Sequence, residues 1–351
     1  MKILRIAAVI TAATLVVTGC SRPAEETTRS TSSSNAGSSN NSAFEPITIK
    51  HAFGETTIKN KPTRIATLGW GSQDVALALG VVPVGMSRVS WSDTTGSGMM
   101  PWTEEKLKEL GGATPVLFDD TDSIPYSQVS DAQPDLILAT YSGITEENYQ
   151  ELTKTAPTIA YPDKPWSTSL EQLVEVDSKA MGKEAEGKKL LADLKQQIKT
   201  EVDKHPDLKG KKVLFSSFGP QNDFNKLGFY RLSDPRVSFL KDDVGMGVPK
   251  VVEDESKKSS DFWAQVSAEE PELFDDVDVI VAYGQDSEEA NQELLGKLQK
   301  DPLLGQIKAI KEGKVALLSN DPVGAVANPS PLSISWGLNK YLDVVDKAVA
   351  Q

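Results

Sequence analysis

Beyond residue 45 this chain holds four arginines, Arg64, Arg88, Arg231 and Arg236, and lysine supplies nearly all the other positive charge there. A guanidinium is the side chain best suited to planar, bidentate recognition of anionic oxygens. Two of the four fall among aromatic residues just after short apolar runs, in Ser87-Arg88-Val89-Ser90-Trp91 and in Tyr230-Arg231. An arginine over an aromatic ring gains about 0.5–2 kcal/mol. The combination suits a ligand with an oxygen-rich face and an apolar skeleton. Trp70, Tyr141, Phe218, Asn222 and Tyr283 follow other apolar runs in the same way. With Arg88, Trp91, Tyr230 and Arg231 they make up the candidate binding set. For the two arginines a salt bridge between loops is the competing reading, and Trp70, Trp91 and Tyr141 could equally pack a lobe. Arg64 opens a strand and Arg236 sits in the turn Asp234-Pro235-Arg236, so both read as structural. Trp102 could reach the same site from a long loop, whereas Trp166 and Trp336 read as core residues.

Other chemistries find little support. The two histidines, His51 and His205, stand far apart without nearby ligands, which argues against an imidazole metal cage. Gly69-Trp70-Gly71-Ser72 lacks the spacing of a nucleophile elbow and has no histidine near it to act as a base. No glycine-rich phosphate loop of Walker or Rossmann type occurs. Neither an enzyme nor a resident cofactor or metal is therefore expected. A net charge of −13 also argues against nucleic acid and against direct adhesion to anionic lipid.

The elements that must position these residues read as two halves. An alternating hairpin spans 47–58, and short apolar strands are expected at 62–69, 80–86, 134–139 and 156–161, with helices over 72–79 and 145–153. Short strands alternating with helices indicate a parallel sheet. Two helices follow without a strand between them, over 170–181 and 183–204. The second carries Leu190, Leu191, Leu194, Ile198 and Val202 at spacings of three and four and stops at His205-Pro206. It is long enough, at roughly 30 Å, to join two lobes as a rod. The pattern then starts again, with strands at 212–217, 278–283 and 313–318 and helices over 288–299 and 333–350. In open α/β sheets ligands bind beyond the carboxyl ends of the strands, which is where the candidate residues collect.

The N-terminus directs the chain outward. Lys2 and Arg5, then an apolar run to Val17, then Val17-Thr18-Gly19-Cys20 have the order of a secretory signal, and Cys20 is the single cysteine. The segment resembles a bacterial lipobox, in which the cysteine accepts a diacylglycerol and becomes the mature N-terminus. The expected organisation is a signal peptide over 1–19, a lipid-anchored Ser/Thr/Asn-rich tether over 20–45, an N-terminal lobe over 46–182, the inter-lobe helix over 183–206 and a C-terminal lobe over 207–351.

The order of motifs resembles the periplasmic-binding-protein family that serves iron–siderophore ABC transporters. Its pieces include Pro62-Thr63-Arg64-Ile65, Leu79-Gly80-Val81-Val82-Pro83-Val84-Gly85, Pro134-Asp135-Leu136-Ile137-Leu138, Asp234-Pro235-Arg236-Val237-Ser238-Phe239-Leu240, Asp301-Pro302-Leu303-Leu304 and Ser335-Trp336-Gly337-Leu338. The resemblance implies an α/β fold of two Rossmann-like lobes with central sheets joined by one long α-helix. It also implies capture of a ferric siderophore between the lobes, with haem or a corrinoid as the alternative ligand. The partner it implies is an ABC permease, with a lipid-anchored monomer at the outer face of the membrane. A ligand-presenting lipoprotein without a permease is the other reading. Glu269 matches the residue with which the family's C-terminal lobe docks to the permease, whereas Ser127 stands where the N-terminal lobe would carry a glutamate, so either docking is asymmetric or a nearby acid such as Asp122 substitutes.

Overall fold

A computed structural model of the chain describes residues 44–218 and 224–351. The signal peptide, Cys20, most of the tether and Asn222 lie outside the described residues.

The hairpin pairs β1 (Ile47–His51) with β2 (Gly54–Ile58) in antiparallel register and turns its buried Ile49 and Ile58 inward. The first lobe then runs β3 (Ile65–Thr67), α1 (Ser72–Ala78), β4 (Gly85–Ser87), α2 (Pro101–Leu110), β5 (Val116–Phe118), α3 (Tyr126–Asp131), β6 (Leu136–Ala139), α4 (Glu146–Leu152) and β7 (Thr158–Ala160). Its sheet has the order β5-β4-β3-β6-β7 and is parallel throughout. Strands such as β6 are buried along their whole length, which is why they appear in sequence as unbroken apolar runs.

Helix α5 (Leu170–Ala180) opens on the capping box of Ser169 and Gln172 and leads into α6 (Glu184–Val202). In α6 Leu191, Leu194 and Ile198 are buried, a stripe that seats the rod on its neighbours. The second lobe consists of β8 (Val213–Ser217), β9 (Lys226–Tyr230), α7 (Pro235–Ser238), α8 (Lys250–Lys258), β10 (Trp263–Ser267), β11 (Val279–Tyr283), α9 (Glu288–Lys300), α10 (Lys308–Lys311), β12 (Val315–Leu318), α11 (Pro322–Val326) and α12 (Pro331–Val349).

The second sheet repeats the strand order of the first, as β10-β9-β8-β11-β12. It departs from the parallel repeat expected from sequence. β8, β11 and β12 are parallel, but β9 is antiparallel to both β8 and β10. Chain length explains the difference. Ser217 and Lys226 are too close in sequence for a crossover, which needs a dozen or more residues, so the chain must return antiparallel.

One apolar core runs from the first lobe into the second. It joins Ile65, Leu136 and Leu173 to Leu194 of α6, to Phe215 and Val281, and to Tyr341 of α12. Helix α12, assigned by sequence to the second lobe, packs on α1 and α2 of the first lobe and on α6 as well as on β11 and β12. The outer face of each sheet has its own core. Lobes that share packed side chains resist large hinge motion, because cores are close-packed and poorly deformable.

A candidate ligand-binding cleft between the lobes

At the switch point of the first sheet, β3 and β6 lie side by side and their following loops are bonded together. Leu68 N donates to Leu138 O (2.8 Å) and Trp70 N to Tyr141 O (2.9 Å). Gly69 makes this approach possible: its φ is +81°, and a Cβ there would sit 2.4 Å from Tyr141 O. Trp70 and Tyr141 therefore emerge together. Both bond to Asn328, which enters from the segment between α11 and α12: Trp70 Nε1 donates to its carbonyl (3.2 Å) and Tyr141 Oη to its Oδ1 (3.1 Å).

The support behind this floor is polar and buried. Asp74, in the first turn of α1, accepts from Trp102 Nε1 (2.8 Å), from Thr103 Oγ1 (3.1 Å) and from Ser330 Oγ. Burial pushes its carboxyl up to about 6, against the pull of those three bonds. Trp102 is thus committed to Asp74 and only 3% exposed. The expectation that it could line the cleft is corrected.

From the second lobe the cleft receives Tyr230, Tyr283 and Arg236. The Arg236 guanidinium lies 3.8 Å from the centre of the Tyr230 ring and 5.8 Å from that of Tyr283. Its Nε donates to Asp234 Oδ1 (2.7 Å) and its Nη2 to Asp234 Oδ2 (2.6 Å). Asp234 is fully buried and caps α7 through the Arg236 amide. Burial pushes the Tyr283 hydroxyl up to about 12 and moves those of Tyr141 and Tyr230 upward too. These phenols stay protonated and serve as donors at physiological pH.

The structure replaces Arg231 by Arg236 as the cleft's second arginine. Arg231 is 8% exposed and gives its guanidinium to the carbonyls of Glu255, Asp261 and Trp263. The reason is strand alternation. Successive residues of extended chain face opposite sides, so Tyr230 and Arg231 cannot both look into the cleft. Phe218 is corrected on the same ground. Ser217 borders the cleft, and Phe218, one residue on, is packed into the outer core of its lobe.

Arg88 is exposed on the first-lobe wall, and no side-chain hydrogen bond or ion pair engages it within the described residues. Gly98 leaves room for it; a Cβ there would lie 3.0 Å from Arg88 Cγ. Next to it Ser87 Oγ donates to Asp120 Oδ2 (2.5 Å) and accepts from Gly69 N (2.9 Å). Across the opening, Ser92 N donates to Asn320 Oδ1 (2.8 Å), and the Trp91 ring meets Tyr283 edge-on at 4.8 Å. The loop after β4 thus straps the first lobe to the second.

The cleft has a volume of about 800 Å³, with a recess of about 240 Å³ between Trp70, Trp91, Arg236, Tyr283 and Asn328. Of the five large apolar side chains exposed within the described residues, Trp91, Trp166 and Phe262 lie on its rim. Such clustering marks a contact surface. Trp166 was expected in the core. Instead it sits at a φ of 55°, with its indole laid over Gly143, where a Cβ would come within 2.4 Å of Nε1.

The cleft therefore gathers Trp70, Arg88, Trp91, Tyr141, Tyr230 and Tyr283 from the candidate set. Sequence reasoning missed Arg236, Asn328, Phe262 and Trp166. Arg236 stood out as a rare arginine but read as part of a turn, Trp166 read as core, and Asn328 left a trace in the proline-flanked Asn328-Pro329-Ser330-Pro331 ahead of the last helix. Glu269 lies elsewhere, exposed in the turn after β10, and Ser127 is exposed on α3. Among the described residues no group of His, Cys, Asp and Glu is placed to hold a metal ion.

Comparison with known proteins bears on this site. Residues 65–322 match the model of a family described as periplasmic binding protein. The crystal structure of Streptococcus pneumoniae TIGR4 PiaA in complex with ferrichrome superposes with a TM-score of 0.80 at 44% identity, covering 87% of this chain and 99% of that one. Staphylococcus aureus SirA complexed with staphyloferrin B shares the fold, with a TM-score of 0.64 at 23% identity over 87% of this chain and 98% of that one. The Fe(3+)-citrate-binding protein YfmC of Bacillus subtilis (strain 168) is 29% identical over 201 residues, 56% of each chain. The putative ABC transporter substrate-binding lipoprotein YhfQ of the same organism is 28% identical over 168 residues, 47% of this chain and 49% of that one. The chain thus spans about half the length of the curated relatives it matches.

Proposed function

The chain belongs to the periplasmic binding protein family, and on that footing we propose that it is an extracytoplasmic solute-binding lipoprotein that captures a ferric siderophore and delivers it to an ABC permease. It is a binding protein, not an enzyme. The observation that carries the reading is the cleft itself, in which Arg88 of one lobe and the tyrosine-stacked Arg236 of the other face a shared space rimmed by exposed aromatics. Ferric chelates present oxygen-rich faces on an apolar skeleton. Arginine and phenol donors suit the oxygens, and the indole and phenyl faces suit the skeleton. The iron arrives already coordinated, so the protein contributes outer-sphere contacts only. The chain acts as a monomer. The complex of PiaA with ferrichrome supports this ligand class.

Trp70, Trp91 and Trp166 line the cleft, so a ferric complex bound there quenches intrinsic fluorescence. Saturable quenching with submicromolar affinity is expected from a ferric siderophore and none from free ferric ion. A set of hydroxamate, catecholate, citrate, haem and corrinoid ligands that all fail to quench would sink the reading.

Delivery rests on two further residues. Among the described residues no helix is long and apolar enough to cross a membrane, and lipid on Cys20 is the attachment we assign. The tether then holds the loaded cleft near its permease at high effective concentration. Glu269 supplies a docking charge from an exposed turn of the second lobe. In producing cells, Cys20→Ala should release the protein from the membrane fraction, and Glu269→Ala should lower siderophore-dependent iron uptake. Neither change should alter the affinity of the purified protein. Retention of Cys20→Ala on the membrane rejects the anchor, and normal uptake with Glu269→Ala rejects the docking role.

A further inference from the structure

The cleft holds few charges and their balance is unusual for a site that binds a metal complex. Its two cations are Arg88 and Arg236, and Arg236 is already paired with Asp234. Two carboxylates line the cleft, Asp122 on the rim and Asp120 on the first-lobe wall; with Arg236 neutralised by the fully buried Asp234, they face Arg88 as the cleft's one unpaired cation among the described residues. No lysine or histidine lines the cleft within the described residues.

We propose that the cleft selects ferric chelates of zero net charge and rejects polyanionic ones, with Asp120 as the residue that sets this preference. This rests on the siderophore reading above and narrows its ligand class. Three singly charged bidentate donors, as in a tris-hydroxamate, neutralise Fe³⁺ and leave a neutral complex. Three catecholates leave it with three negative charges, and ferric citrate complexes are also anionic. A polyanion entering the cleft loses its hydration and meets a wall that is itself net negative, and like-charge juxtaposition of this kind is strongly unfavourable. A neutral complex pays no such penalty. Its oxygens accept from Arg88 and the tyrosines, and an amide or hydroxyl on its scaffold donates to the acids.

Asp120 is placed for this role. Its Oδ2 is fixed by Ser87 Oγ, the same oxygen that receives Gly69 N at the switch point, so the carboxylate is held in place beside the Trp70 loop. Burial pushes its carboxyl upward, against the pull of the Ser87 bond. Discrimination is therefore measured at pH 8, since a higher pH favours the ionised form.

The test compares fluorescence titrations of the full-length protein with ferrichrome (a neutral tris-hydroxamate), a ferric tris-catecholate and ferric citrate. Ferrichrome should bind submicromolar and both anionic complexes about 100-fold more weakly or worse. Asp120→Asn should narrow that gap about tenfold by tightening the anionic complexes. Asp122→Asn, on the exposed rim, should act in the same direction and serves if Asp120→Asn does not fold. Anionic complexes that bind as tightly as ferrichrome overturn the charge rule while leaving the siderophore function intact. An unchanged ratio in both variants overturns the role of the acids. Failure of every chelate to bind removes the siderophore reading and this inference with it.

Discussion

Replacing Arg236 with methionine should abolish most chelate binding and destabilise the fold in the same step. The first effect comes from losing a buried, charge-assisted donor, worth about 1.5–3 kcal/mol or roughly 10–150-fold in affinity. The second comes from Asp234. It is fully buried and its carboxylate pairs with Arg236, so the variant strands an uncompensated charge, at a cost of about 3–5 kcal/mol. A second change separates the two effects. In Asp234→Asn/Arg236→Met the amide keeps the cap on α7 and removes the stranded charge. Stability in urea should then return most of the way while ferrichrome affinity stays low. Arg231→Met supplies the contrast: three carbonyls lose their donor, so stability should fall with affinity preserved. A double variant that binds like the parent would remove Arg236 from the site.

An opposite sign is expected at Asp177, where Asp177→Asn should stabilise the protein at pH 8. Asp177 is fully buried on α5. Its Oδ1 accepts from Thr140 Oγ1 (2.5 Å), and its Oδ2 has no partner within the described residues. Burial pushes its carboxyl from 3.8 up to about 7, against the pull of the Thr140 and Ser72 hydroxyls. The folded state therefore holds the proton more tightly than the unfolded chain does. Stability is fully present below about pH 4 and is lost as pH rises toward 7. The rise from 3.8 to about 7 corresponds to about 4 kcal/mol across that window. Asparagine keeps the Thr140 bond and removes the charge but adds an N–H₂ that needs an acceptor, so the net gain should be about 1–3 kcal/mol. Asp74, pushed up to about 6, adds a slope of the same sign. Urea unfolding from pH 5 to pH 8 should show a flatter profile in Asp177→Asn than in the parent; parallel profiles would refute the assignment. The parent residue holds Thr140 next to Tyr141, which suggests why a destabilising charge stands beside the cleft.

The two-lobe plan was legible because it depends on local patterns. Runs such as Leu136-Ile137-Leu138 announce strands buried on both faces, and Leu191, Leu194 and Ile198 announce one buried helix stripe. The carboxyl ends of the parallel strands then point to Trp70, Arg88, Tyr141 and Tyr283 without any knowledge of the tertiary structure. The hairpin of β9 and β10 was not legible. Its strands are separated by more than thirty residues, including α7 and α8, and each is only five residues long.

The choice between Arg231 and Arg236 shows the limit most clearly. Both are rare arginines within a few residues of Tyr230, and composition alone cannot rank them. The outcome is set by strand alternation at the end of β9, which turns Arg231 toward the carbonyls of Glu255, Asp261 and Trp263, and by α7, which lifts Arg236 over the Tyr230 ring. Asn328 is a similar case: its partners, Trp70 and Tyr141, lie nearly two hundred residues or more away, and only the return of α12 to the first lobe brings it to them. Sequence by itself determined which segments fold, in what order, and at which strand ends a ligand is received, because those properties follow from periodicity within a few residues. The tertiary structure alone decided which side chains face one another across the cleft and what charge they sum to, because side-chain direction and burial depend on partners far away in the chain.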